Sequence, residues 1–297
     1  MKLEPECVGC LFQQMVKAFK TVKPDVSNEI IISAQQSLMS YLLKIDINKV
    51  SAPIVGKFLY DLVAKTLGIK DPYFQQKKKY NELALKQYDR LTKIINNSKD
   101  PLFEAIAAAA IGNTIDFASQ HKIDLLNDFK SFKPENFKIN DYDRFKNSLE
   151  ILNKDDKKLL MLGDNAGEIV FDKLLIEVIH KIYPKIEIIY AVRSAPIIND
   201  ATIQDAEFIN LTKIVKVIEA SSIPGIDLAS STEEFLKYFR EKRGIILSKG
   251  QGNFETLYDM DLSHKDVFFL LKVKCVLLEK VFNVKIGDFI FKQRTRD

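Results

Sequence analysis

Three short polar clusters, each following an apolar run, hold the residue types in this chain that do chemistry. Gly163-Asp164-Asn165-Ala166-Gly167-Glu168 follows the run 159–162. Arg193-Ser194-Ala195-Pro196-Ile197-Ile198-Asn199-Asp200-Ala201-Thr202, with Asp205 beyond it, follows 188–192. Ser248-Lys249-Gly250-Gln251-Gly252-Asn253 follows 244–247. Oxygen-only side chains of this kind suit a hard divalent cation rather than zinc or copper. Asp164, Asn165 and Asp200 would supply three ligands, with water completing an octahedral shell, the arrangement magnesium or manganese adopts. Lys249 would add a compact positive charge that pairs with phosphate. Gly250 and Gly252 would let backbone amides approach an anion, and the amides near Gly167 offer a helix start for the same purpose. The chemistry these residues point to is a metal-plus-phosphate site.

Each cluster also has a plain structural reading. Asp164 or Asn165 would N-cap the following helix, with Glu168 completing a capping box. Asp200 would cap the turn at Thr202, and Lys-Gly-x-Gly would be an ordinary loop. What favours chemistry is the coincidence. A parallel sheet brings the carboxyl ends of its strands to one edge, and ligands of open α/β sheets bind there.

The elements that must hold these clusters differ between the two halves of the chain. Residues 1 to about 155 read as helix. Asp71-Pro72 and Asp100-Pro101 each look like an N-cap followed by proline in the first turn, and Ser51-Ala52-Pro53 opens another helix in the same way. From 72 to 97, Phe74, Tyr80, Leu83, Leu85, Tyr88, Leu91, Ile94 and Ile95 recur at three- and four-residue steps, which predicts an amphipathic helix. Residues 105–118 predict a second, and no β-type alternation stands out in this half. Beyond Lys154 strands alternate with helices: strands at 158–162, 187–192, 214–218, 244–248, 267–273 and 288–291, with helices at 167–180, 232–242 and around 275–281. That alternation predicts an α/β fold with a mostly parallel sheet covered on both faces. The boundary is expected between a helical domain, 1–155, and an α/β domain, 156–297.

Bulk properties narrow the function. The chain has 297 residues, is 46% hydrophobic and 28% charged, and carries a net charge of +4, a balance that does not call for a nucleic-acid partner. No signal peptide opens it and no apolar run is long enough to span a bilayer, so a cytoplasmic protein without a membrane partner is expected. Three cysteines, an odd and sparse set, fit a reducing compartment. Cys7-x-x-Cys10 reads as half a zinc site, a redox pair or structural cysteines at a helix start. Lys77-Lys78-Lys79 reads as a solvated helix face, or as a flank of the active-site mouth that attracts anions. Neither a P-loop nor a G-x-G-x-x-G turn is present.

Gly-Asp-Asn-Ala-Gly-Glu at 163–168, Asn199-Asp200-x-Thr202-x-x-Asp205, and Lys249-Gly250-x-Gly252-Asn253 with Leu257 resemble three motifs of the metal-dependent damage-control phosphatases, also called "domain of unknown function 89". Cys7-x-x-Cys10 and Gly112-Asn113-x-Ile115-Asp116 resemble the smaller microbial branch of that family. The resemblance implies a helical domain packed on a three-layer α/β/α domain, and hydrolysis of phosphate monoesters of small metabolites, such as sugar phosphates or phosphopantetheine-like esters, with a divalent metal (Mg, Mn, Co or Ni). By position it implies Asp164, Asn165 and Asp200 as metal ligands, Glu168 beside the reacting centre, and Lys249 on the phosphate. Asn165, Gly250 and Asn253 would border substrate, with Asn113 and Asp116 reaching in from the helical half. The nucleophile stays open: either Asp164 attacks directly, or Glu168 or Asp200 orients a water. Two other classes compete: a methyltransferase using S-adenosylmethionine on carboxylates, for which a glycine-rich cofactor loop is missing, and a non-catalytic metal- or metabolite-binding protein.

Overall fold

Apolar strands whose side chains alternate between two faces lie between two layers of helices. The computed structural model describes residues 1–112, 129–155 and 157–294. Its helices are α1 (Pro5–Val22), α2 (Asn28–Leu42), α3 (Ala52–Leu67), α4 (Phe74–Asn96), α5 (Pro101–Gly112), α6 (Tyr142–Lys154), α7 (Glu168–Ile182), α8 (Ile203–Phe208), α9 (Glu233–Arg240), α10 (Gln251–Leu257) and α11 (Val276–Phe282). Its strands are β1 (Phe137–Asn140), β2 (Lys158–Leu162), β3 (Glu187–Val192), β4 (Lys216–Glu219), β5 (Ile245–Lys249), β6 (Asp266–Lys272) and β7 (Phe289–Gln293). They form one sheet in the order β1-β7-β6-β5-β2-β3-β4, parallel except where β7 runs against β6.

Side-chain alternation explains why these strands read as continuous apolar runs. In β2, Leu159 and Met161 enter the core under α4 to α7, while Leu160 and Leu162 enter the core under α9 to α11. A strand covered on both faces has no polar side to show. Helices α1, α2 and α3 bury a separate core around Met15, Phe19, Leu38 and Leu59. Among the described residues no helix is long and apolar enough to cross a membrane.

The first half is not purely helical. Phe137–Asn140 is a strand, paired in parallel with Phe289–Phe291 of β7 at the sheet edge. The packing also cuts across 155/156: Ala84, Leu91, Ile106 and Phe145 share one core with Met161, Leu175 and Phe268, whereas the separate core ends at Val63. The helix at 72–97 starts at Phe74 instead, because Asp71 Oδ1 accepts the Tyr73 amide at 3.1 Å and closes a turn before it. Asp100 caps α5 as expected, its Oδ1 accepting the Phe103 amide at 3.1 Å.

Candidate active site

Three polar clusters meet because β5, β2 and β3 are neighbours running the same way. The chain winds outward from β2 to β3 and β4, then returns to place β5 on the other side of β2. The crevice beyond such a reversal of strand order is where open α/β sheets bind ligands. The loop after β2 and the loop after β3 are stitched together here. Ala201 donates its amide to Asp164 O at 2.8 Å, Ala166 donates to Asn199 O at 2.8 Å, and Asn165 bridges Asp200 in antiparallel fashion. Ile198, in the loop that presents Asp200, takes φ +45°, a region β-branched residues rarely enter.

Above this edge lies a cleft of about 530 Å³, within the range of small-molecule sites. Asp164, Asn165 and Asp200 form part of its floor. Helices α1 and α3 supply Cys10, Gln14, Gly56 and Tyr60 on one wall, and the segment around Lys274 and Cys275 lies across from them. Thus Cys7, Cys10 and Cys275, all free thiols, border one cleft.

The plain capping readings do not describe what the clusters do. Helix α7 has Gly167 at its N-cap with no side-chain cap, and α8 is capped by Thr202 with Asp205 closing the box. Asp164 and Asp200 are instead buried carboxylates gripped by Arg193, which is 2% exposed. Arg193 Nε donates to Asp200 Oδ2 at 2.6 Å, Nη1 donates to Gly225 O and Asn253 Oδ1, and Nη2 stands 3.9 Å from Asp164 Oδ1. Burial and the nearby Asp200 raise the Asp164 carboxyl to about 6. Burial also raises Asp200, against the pull of Arg193.

Below the floor, Glu168 is 1% exposed and its Oε1 accepts the Asn165 amide at 2.7 Å. The same Asn165 Nδ2 donates to Asp164 Oδ2 at 2.9 Å. Lys249 is fully buried, with Nζ 2.5 Å from Asp172 Oδ1. Burial lowers its pKa, but Asp172, Glu168 and Asp164 outweigh that and raise it overall. The ammonium therefore lies beneath the cleft rather than in it.

The glycines and Asn253 do different work from that expected. The Gly250 amide donates to Leu270 O at 3.1 Å, and the Gly167 amide donates to Asn81 Oδ1 at 2.6 Å, so neither is left for an anion. Gly250 is small because a Cβ there would overlap the Asp164 carboxylate, and Gly252 because a Cβ would overlap Pro224 O. Asn253 is completely buried, donating to Gly163 O at 3.0 Å and Lys249 O at 2.8 Å while accepting from Arg193. It ties the three loops together under the floor. Asn113 and Asp116 lie outside the described residues.

Four further residues contact these clusters without a role assigned to them in the sequence reading: Asp172, Arg193, Asn81 and Lys77. Lys77 is not solvated; it is 1% exposed, with Nζ 2.8 Å from Asp71 Oδ2 and 3.4 Å from Asp205 Oδ2. One signal pointed to it and to Asn81. Both fall on the buried stripe of α4 with Tyr80, Ala84, Leu91 and Ile95.

The donor set fits a hard cation. No group of three or more His, Cys, Asp or Glu among the described residues makes a ready cage. Two carboxylates and an amide oxygen, open to a cleft with room for water, match a partly hydrated ion. Around it, Asp164, Glu168, Asp172, Asp200 and Asp205 are buried beside Lys77, Arg193 and Lys249, with Lys274 bordering the cleft above. Burial first, then Asp200 acting on Asp164 and Glu168 acting on Asp200, raises both carboxyls, a penalty that a cation between them would relieve.

Residues 3–290 match the Damage-control phosphatase ARMT1-like domain. The chain is 33% identical over 304 residues to a damage-control phosphatase of Pyrococcus horikoshii, covering 98% of this chain and 97% of that protein. It is 33% identical over 302 residues to a damage-control phosphatase of Archaeoglobus fulgidus, covering 98% and 99%. An uncharacterized protein of Methanocaldococcus jannaschii is 32% identical over 299 residues, covering 99% and 96%. The crystal structure of a DUF89 family protein from Pyrococcus horikoshii matches with a TM-score of 0.84 at 29% identity, over 99% of this chain and 100% of that one.

Proposed function

We propose that this chain, which belongs to the damage-control phosphatase ARMT1-like domain family, hydrolyses phosphate monoesters of small metabolites with the help of one divalent cation. The observation that carries this reading is the facing pair Asp164 and Asp200, buried yet opening onto the floor of a cleft of about 530 Å³. The names of the Pyrococcus and Archaeoglobus relatives support the same reaction class.

Asp164, Asn165 Oδ1 and Asp200 would hold the cation, with magnesium, manganese, cobalt or nickel as candidates. A cation there would offset charge developing on the phosphoryl oxygens, which is where most of the rate enhancement of phosphoryl transfer arises. Lys249 adds fixed positive potential from below, and Asp172 keeps its ammonium aimed at the same region. Arg193 holds the two ligand carboxylates apart and oriented. Glu168, whose Oε1 accepts from the Asn165 amide, would govern a proton at the floor. The volume suits a sugar phosphate or a phosphopantetheine-like ester, and three free thiols around the cleft fit a reducing, cytoplasmic setting.

Phosphate release from a panel of such esters, with metal-stripped protein given each of the four cations, tests the proposal. Cation-dependent turnover supports it, and the best ester sets the substrate class. Folded protein that binds a cation and turns over none of the esters would make it a binding protein instead.

A further inference from the structure

We propose that Asn81, on α4 in the helical half, is a positioning residue for the cation site: its carboxamide holds in register the loop that carries Asp164 and Asn165 and the loop that carries Asp200. The inference rests on the cation-dependent reading above.

Asn81 is 1% exposed and spends both ends of its amide on those loops. Its Oδ1 accepts the Gly167 amide at 2.6 Å, two residues beyond Asn165. Its Nδ2 donates to Asp205 Oδ1 at 2.9 Å. Asp205 passes the restraint on: its Oδ2 accepts the Thr202 amide at 2.9 Å and the Thr202 hydroxyl at 2.8 Å, two residues beyond Asp200. Backbone contact reinforces the first link, since a Cβ on Gly167, at φ +84°, would come 3.1 Å from Tyr80 Cβ and 3.3 Å from its carbonyl group. One turn earlier, Lys77 lies between Asp205 and Asp71 and keeps the Asp205 carboxylate compensated in its buried position.

Nothing in helix packing calls for asparagine here. It is a poor helix former, and an aliphatic side chain would suit a buried stripe better. A carboxamide has one acceptor and one donor group on a single plane, matching one amide N–H and one carboxylate. Outer partners of this kind set the orientation of metal ligands, and losing one typically costs about 10–100-fold in metal affinity or activity.

The test is Asn81→Asp, alone and combined with Asp205→Asn, in the full-length metal-free protein. The single exchange keeps an acceptor for Gly167 but sets two carboxylates against each other. The double exchange restores the hydrogen bond with donor and acceptor transposed. Three quantities are read: the Mn2+ dissociation constant by calorimetry, hydrogen exchange at the Gly167 amide, and kcat and KM for the best ester. The single variant is expected to bind Mn2+ about 10–100-fold more weakly, to exchange the Gly167 amide faster, and to lose kcat more than KM. The double variant is expected to recover most of the affinity. Unchanged affinity in the folded single variant, or a double variant no better than the single, overturns the proposal. Should the single variant not fold, Asn81→Ala, which removes both bonds without adding charge, is judged by the same affinity and exchange criteria. Wild-type protein that neither binds Mn2+ nor releases phosphate would defeat the phosphatase reading instead, and Gly167 exchange would then decide the clamp alone.

Discussion

The ammonium of Lys249 stands 2.5 Å from Asp172 Oδ1, and neither side chain exposes any surface. The Tyr190 hydroxyl donates to the other carboxylate oxygen at 2.6 Å. The end of β5, the middle of α7 and the middle of β3 thus share one buried polar knot directly below the candidate floor. Removing one partner leaves a buried charge without its mate, a loss of about 3–5 kcal/mol. Lys249→Met and Asp172→Asn are each expected to lower stability by that order in urea unfolding. Lys249→Met combined with Asp172→Leu should recover much of the stability but none of the activity, because the positive potential under the floor is gone. Equal activity in the double variant and wild type would contradict this role.

The two carboxylates above that knot tie stability to pH. Burial and Asp200 raise the Asp164 carboxyl from 3.8 to about 6. An acid whose folded pKa lies above its unfolded value costs stability where it is ionised. That cost is fully present above about pH 6 and is relieved as pH falls from 6 toward 4. The metal-free protein is therefore expected to gain melting temperature, relative to Asp164→Asn, as pH falls from 7 to 5. At pH 7 a divalent cation should raise the melting temperature of wild type more than that of the variant. Parallel melting profiles with no cation effect would show that Asp164 carries no such penalty.

Gly250 is the position where a single methyl group should do most harm. Its φ is +77°, and an added Cβ would overlap the Asp164 carboxylate. Gly250→Ala is expected to cost on the order of 1–3 kcal/mol of stability and to weaken cation binding by displacing that carboxylate. Gly9→Ala is the control, since nothing lies within 4 Å of a Cβ there. Cation titration of both variants checks the contrast.

How much of this was legible in the sequence depended on whether the determining partner was local. β2 and β3 begin and end where the apolar runs at 158–162 and 187–192 do, because a strand buried on both faces is written in its own residues. β1 was missed: only Phe137 of its four residues is buried, and what makes it a strand is pairing with β7, about 150 residues away. The motif residues Asp164, Asn165 and Asp200 converge as expected, since their strands are parallel neighbours. Asn253 and Lys249 point inward, and that direction depends on Arg193 and Asp172 packing beside them. Lys77 misled because a lysine triplet reads as solvated, although its phase on α4 matches the buried Tyr80 and Ala84. Of its two partners, Asp71 is six residues back, but Asp205 lies 128 residues ahead, where no local pattern could reveal it.

The central claim is that Asp164 and Asp200 hold the cation on which phosphate release depends. The measurement that meets it most directly compares phosphate release by metal-stripped wild type, Asp164→Ala and Asp200→Ala, each titrated with Mg2+ and Mn2+ on the best ester. Wild type is expected to be inactive until a cation is added and then to turn over saturably. Both variants should stay folded, bind the cation far more weakly and remain inactive at cation levels that saturate wild type. Full activity in the chelated wild type, or cation-dependent turnover surviving in either variant at the wild-type midpoint, would contradict the account.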